Sequence, residues 1–326
     1  MSNLLVNFAK AVDPAVKQVF NGDFKKAEKQ SDKICYSQKA EDYITEIGSN
    51  VNLTMAEIRT EQSSVNYEDF LAGNSKNLTQ YVYDKGIKIS KKLMKWQKLG
   101  QIKSLVEGAA QSLVRRKEFD ITKLLEQGFN TTYTHAQDGS TAIDLAGGDA
   151  VALFSPSHAT KRTSTAQSNR ITDGTTVNMA LSEAALEANE TVTFAAITDN
   201  SDQVISGAPD TLFVSRKSYW TAQRLIKTQK GRVGTPNNDV NLLLGRYDLV
   251  RLDYMSTAYA AYYFTKDSEL NKKVGFLTML IGADGEHDGP YIDFDTKAIK
   301  HSWELEFAAG HNNWQSYTGS KGTNAA

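Results

Sequence analysis

The stretch from residue 91 to residue 128 constrains the fold more than any other part of the chain. Leu93, Trp96, Leu99, Ile102, Leu105, Val106, Ala109, Ala110, Leu113 and Val114 recur at spacings of three and four. That is the period of a helix with one apolar face. Ser90 stands where an N-cap belongs, and Gly128 where a helix closes. A helix of roughly 38 residues spans about 57 Å at 1.5 Å per residue, long for a globular enzyme. A break is expected at 117–120, "KEFD".

The flanking segments are short of apolar surface. Residues 1–50 balance seven lysines against seven acids. Ordering each residue costs about 1–2 kcal/mol, so this arm is expected to be ordered only by packing on something else. Within it, "QKAEDYITEIG" (38–48) reads as a short helix ended by Gly48. Residues 51–90 read as a long two-stranded excursion, with Tyr81, Tyr83, Ile87 and Ile89 alternating and "GNSKN" (73–77) as a turn. An isolated hairpin is marginal in water, so it too needs a partner surface.

Beyond residue 130, short strands, polar turns and helices alternate, an α+β texture. A helix is expected near Leu181–Ala188. A strand, a turn and a helix are expected over 210–230, with Phe213 and Val214 buried. Further strands are expected at 247–256, 261–267 and 273–282, and two more around Ala308–Gly310.

The totals exclude several classes. With 326 residues, 40% apolar and 23% charged, the chain is long enough for a sizeable core. The net charge of −1 gives no global argument for nucleic-acid binding. A single cysteine, Cys35, excludes an internal disulfide and a cysteine-based zinc site. No signal peptide is evident, and no apolar run approaches the ~20 residues of a membrane span. Charge is instead biased locally. Between Lys85 and Lys117 there are ten basic residues and one acid, Glu107, a surface suited to a polyanion or to acidic neighbouring segments.

Tests for chemistry return little. "GGDAVALFSPSH" (147–158) holds glycines, an acid, serines and a histidine. However, Ser157 and His158 are adjacent, and the Gly-x-Ser-x-Gly elbow is missing. A strand over Ala150–Phe154 leading into a loop is the expectation. "GRVGTP" (231–236) lacks the Gly-Lys-Ser/Thr ending of a phosphate loop. The histidines 135, 158, 287, 301 and 311 show no pairing at ligand spacing. Asp284, Glu286, Asp288 and Asp295 fall at positions one, three, five and twelve of a calcium loop. Position twelve lacks the bidentate Glu, and Pro290 intervenes. An acidic surface turn is expected there, and no catalytic residue or cofactor.

Four stretches, in order, carry a resemblance: "YVYDKGIKISKKLMKWQKLGQ" (81–101), "GGDAVALFSPSHAT" (147–160), "APDTLFVSRKSYWTAQRLI" (208–226) and "WELEFAAGHNNWQSYTGSKG" (303–322). Together they resemble the major capsid proteins of tailed double-stranded DNA bacteriophages with the Hong Kong 97 type fold, nearest the Mu-like major head proteins. The resemblance covers residues 50–322. It implies an N-terminal arm (1–53), an extended β-hairpin loop (54–88), a peripheral domain with a long spine helix (89–150 and 285–326) and an axial domain (151–284). It implies pentamers and hexamers of the chain closing an icosahedral head around packaged DNA, made in the bacterial cytoplasm. Scaffolding, portal and decoration proteins would be partners, and a membrane would not.

Lys88, Lys91, Lys92, Lys95, Lys98, Arg115 and Arg116 become candidates for facing a neighbouring subunit or the DNA. No large built-in scaffolding segment is expected before the arm. Some relatives cross-link Lys to Asn between subunits, but nothing in this sequence singles that chemistry out. An encapsulin-like compartment shell is the alternative within the fold. A metal-dependent enzyme using the 284–295 acids and a DNA-binding protein using 85–117 are the alternatives outside it.

Overall fold

The computed structural model describes residues 2–26, 30–56, 58–61, 64–65, 67–69, 71–96, 98–135, 139, 141–228, 241–272, 276–293 and 295–323. The "GRVGTP" segment lies outside the described residues. Helix α1 (Ser2–Lys26) is followed by one helical turn, α2 (Ser31–Ile34), and strand β1 (Tyr36–Lys39). Strands β2 (Ile44–Asn50) and β3 (Ala72–Thr79) pair as a ribbon. β4 (Tyr81–Ile89) leads into α3 (Lys91–Lys95) and the 28-residue α4 (Leu99–Glu126). Short strands β5 (Thr132–Thr134), β6 (Ala142–Asp144), β7 (His158–Ala159) and β8 (Ala166–Gln167) precede helix α5 (Glu183–Ala188). Then come β9 (Thr211–Ser215), α6 (Tyr219–Lys227), β10 (Asp248–Leu252) and β11 (Tyr263–Lys266). The chain finishes with β12 (Thr278–Ile292), β13 (Ile299–Gly310) and β14 (Tyr317–Ser320).

Two four-stranded sheets organise these elements. The first runs β1-β12-β13-β4, with β1 parallel to β12 and the rest antiparallel. The second runs β10-β9-β11-β14, with only the β10–β9 pair parallel. One core joins them: Ile102, Val106, Leu113 and Ile121 of α4 pack with Trp303, Leu305 and Phe307 of the first sheet and Phe213, Phe264 and Tyr317 of the second. The other face of the second sheet, Leu212, Val214 and Tyr263, is covered by α5 and α6. Strand β9 is therefore buried on both faces, which explains its continuous apolar run.

The arm finds its packing surface on its own chain. Val16, Phe20 and Phe24 recur every four residues along α1 and are buried against α4 and β12. Phe20 stacks on Trp303 with ring centroids 4.6 Å apart. At about 1.5–3 kcal/mol for each buried large side chain, these anchors offset the ordering cost that the polar remainder cannot.

Several expectations need correction. The spine does not break at "KEFD". α3 ends at Lys95 and α4 begins at Leu99, and 117–120 lie inside α4. Those polar residues are tolerated because each has a partner: Lys117 Nζ lies 3.5 Å from Asp284 Oδ1, and Glu118 accepts from Ser31 N at 3.0 Å and Ser31 Oγ at 2.9 Å. Residues 38–48 are parts of two strands, because β1 pairs with β12 and β2 with β3. "GNSKN" is strand, not turn. Gly73 is there because a Cβ would come within 2.5 Å of the Ser49 carbonyl oxygen at an irregularity of the ribbon.

The ribbon is thus 44–79, and β4 belongs to the first sheet. The two strands expected around Ala308–Gly310 are present as β13 and β14, but β13 runs on through Gly310 and the chain then crosses to place β14 in the second sheet. The expected boundary at residue 285 therefore does not separate the sheets.

Strand β12 carries a bulge at its middle. Of three register shifts along β12, the middle one has Asp284 facing Leu305 and Glu286 facing Glu304, which leaves one extra residue there, Gly285, at φ 76°. Left-handed φ at the bulge position suits glycine. The extra residue brings His287 opposite Trp303.

Candidate interaction surfaces

The basic candidates divide into two groups. Lys88, Lys91, Lys92, Lys95 and Lys98 are all exposed at the β4–α3–α4 junction, beside Trp96 at 66% exposure. Ser90 caps α3, its hydroxyl accepting from Leu93 N at 3.4 Å. Arg115 is exposed on α4. Arg116 does not face outward: its guanidinium binds Asp120 Oδ1 at 2.6 Å, meets His135 and lies over the Tyr83 ring. The basic surface is therefore the 88–98 segment with Arg115 apart.

An acidic surface lies on the first sheet. Glu286, Glu304 and Asp84 stand directly opposite one another on three neighbouring strands, all exposed. Like charges directly opposite each other destabilise a sheet. Partial burial, then Asp84, Glu306, Glu286 and Asp288, raise the Glu304 carboxyl above its ordinary range. Four residues further along the strands, Lys88 faces Lys300. One sheet thus carries an acidic rung and a basic rung.

The third surface is the excursion beyond β2 and β3. Its base is anchored: Glu68 accepts from Thr54 N at 3.0 Å and from Arg162 Nη2 at 3.1 Å. Ile47 and Leu78 cover Leu280 and Ala308 on the outer face of the first sheet. Further out, Met55 is 70% exposed, Ile58 99% and Tyr67 87%.

The acids expected in a surface turn, and weighed as a calcium loop, neither form that turn nor surround a point. Asp284, Glu286 and Asp288 lie along β12, and Asp295 lies in the turn beyond it. Asp284 pairs with Lys117, and Asp288 accepts from Tyr291 Oη at 2.6 Å. Residues 150–154 do not form the expected strand; Phe154 N instead donates to Gly128 O at 2.8 Å.

The 147–158 stretch does build a buried pair. His158 Nδ1 lies 2.6 Å from Asp149 Oδ2, and the ring stacks on Trp314 at 4.1 Å. Burial raises the Asp149 carboxyl, but the His158 hydrogen bond and charge outweigh it and hold the group below its ordinary value. No hydroxyl completes a triad: His158 Nε2 has no hydrogen-bond partner, and Ser155 Oγ accepts from Ser157 N. The pair fixes the loop that joins α4 to the second sheet.

Sequence reading missed one convergence, that of Asp13, His287 and His301. Their ligand atoms all lie within 4.8 Å of one another, the one such group of three among the described residues.

The fold thus presents a spine helix shared by two sheets, a two-stranded ribbon and surfaces of opposite charge. The profile of the phage capsid protein family matches residues 74–316, and the chain belongs to that family. Solved structures agree in fold. A phage-related protein from Bordetella bronchiseptica is 11% identical with a TM-score of 0.54, covering 95% of this chain and 97% of that one. The capsid of an empty GTA particle is 10% identical with a TM-score of 0.54, covering 90% of each. A Mycobacterium phage Adephagia chain is 12% identical with a TM-score of 0.50, covering 91% of each. No curated protein sequence matches. The protein is a structural component of a phage capsid shell, and its place is the virion. Among the described residues, no helix is long and apolar enough to cross a membrane.

Proposed function

We propose that the chain closes an icosahedral head as pentamers and hexamers around double-stranded DNA. The peripheral part is built on α4 and the first sheet, and the axial part on the second sheet. The observation that carries this reading is the excursion: Met55, Ile58 and Tyr67 extend apolar surface that a monomer leaves in water, and a neighbouring subunit would cover it. Complementary charge supports the same arrangement. The 88–98 lysines of one copy suit the Asp84–Glu304–Glu286 rung of another, which relieves the like-charge repulsion within each. Arg115 is left for the DNA or a neighbour. Scaffolding, portal and decoration proteins complete the set of partners.

Electron microscopy of the purified protein tests the reading. Closed shells, or pentamers, hexamers and tubes, are expected. Ile58→Asp with Tyr67→Asp should leave a folded subunit that forms none of them. A wild-type chain that stays monomeric, even with a co-expressed scaffold, overturns the proposal. Shell contents separate a phage head, with nucleic acid, from a compartment enclosing protein.

A further inference from the structure

Asp13 of α1, His287 of β12 and His301 of β13 come from three distant parts of the sequence. His287 Nε2 and His301 Nδ1 are 3.0 Å apart. Asp13 Oδ1 lies 3.7 Å from the first and 3.9 Å from the second. His301 is buried, and the other two are half-buried. The floor of the group is Trp303, which stacks with the His301 ring and meets the His287 ring edge-on.

The polar accounting around this group is incomplete. Asp13 Oδ2 is held by Lys17 Nζ at 2.9 Å. Asp13 Oδ1 is buried with no hydrogen-bond partner, and so is His287 Nδ1. Two neutral imidazoles can share a single N–H between their facing nitrogens, which leaves the carboxylate oxygen with nothing to accept. In the tautomers protonated on the outward-facing nitrogens, both imidazoles turn lone pairs toward the Asp13 carboxylate oxygen. What the three atoms lack is a positive centre.

The spacing suits one. A zinc-class ion with bonds of about 2.0–2.2 Å in a tetrahedral array holds its ligand atoms about 3.3–3.5 Å apart. The separations of 3.0, 3.7 and 3.9 Å bracket that value, so sub-ångström side-chain movements would complete the set. Two imidazoles and a carboxylate favour zinc, cobalt, nickel or copper over the oxygen-seeking magnesium and calcium.

We propose that Asp13, His287 and His301 bind a divalent transition-metal ion of the zinc class, tying α1 to the β12–β13 hairpin. A water fills the fourth position, and Lys17 stays on the second carboxylate oxygen. The ion acts beside the Phe20–Trp303 stack, at the place where the arm meets the body.

The test uses the full chain, stripped with a chelator and titrated with cobalt(II). Visible d–d absorption should saturate at one ion per chain and be displaced by zinc. Excess zinc should raise the melting temperature by several degrees. Asp13→Asn and His301→Gln should each weaken cobalt binding by about tenfold or more. Asp13→Asn is nearly isosteric, so it decides the matter if His301→Gln fails to fold. A wild-type chain with no d–d band at one equivalent of cobalt overturns the proposal, as does undiminished binding in Asp13→Asn.

Discussion

His311 lies fully buried near Lys76, Asp149 and His158. Burial, followed by the Lys76 charge, pushes its imidazole down to about 3. An unfolded histidine titrates near 6.5, so as pH falls the unfolded chain takes up this proton first. The associated stability is complete above about pH 6.5 and is lost progressively as pH drops toward 3. Melting temperature measured across that window should fall, and His311→Gln should make the slope shallower by about one proton. Gly285 makes a second test. Its φ of 76° and a would-be Cβ 3.0 Å from Phe20 Cε1 leave no room for a side chain. Gly285→Ala should cost about 1–3 kcal/mol in denaturant unfolding with an unchanged m-value. The same residue shows why the sequence misled at this point. Acids interleaved with Gly285 and Gly289 look like a cation loop, but glycine serves left-handed positions in bulges as readily as in loops, and here it bends a strand. The meeting of His287 and His301 was hidden for a related reason. Fourteen residues apart, they meet only across a hairpin whose register depends on the bulge.

The acidic rung across β12, β13 and β4 belongs to the scale of elements. Glu304→Gln should stabilise the isolated subunit at neutral pH by a few tenths to about 1 kcal/mol, because the raised carboxyl is then no longer ionised against its neighbours. If a neighbouring copy's lysines cover the rung, the same variant should weaken assembly; light scattering of shell formation against salt would show it. Reversing Lys91, Lys92 and Lys95 to Glu should weaken assembly in the same way and leave the melting temperature within about 0.5 kcal/mol-equivalent of wild type. Elements were legible where one chain segment sets its own environment. The α4 period and the buried runs of β9 and β11 announce themselves, because a continuous apolar face needs no knowledge of the partner. The end of α3 at Lys95 and the passage of α4 through Lys117 and Glu118 were not legible. Whether a mid-helix charge is tolerated depends on Asp284 and Ser31, which are far away in sequence. Strands β1 and β2 were missed likewise: short and polar, they exist by virtue of β12 and β3.

At the scale of the molecule, the order of the pieces was legible as a family resemblance, but the way the sheets share the chain was not. The ends of the chain interlock: Tyr317 Oη donates to Ile34 O at 2.5 Å, and Asn271, whose side chain donates to the same carbonyl, accepts from Ser316. A chain ending at Gly310 should therefore fail to fold cooperatively, with loss of near-UV circular dichroism and of a sharp melting transition, because β11 loses a neighbour and Phe213 and Phe264 lose Tyr317 from their core. This topology also sets a clock. β13, which stands between β12 and β4 and carries Glu304, and β14, which closes the second sheet, are made after every strand they join. A half-made chain cannot display the rung or the finished sheets to another copy. A subunit thus gains the capacity to assemble only after β13 and β14 have been made.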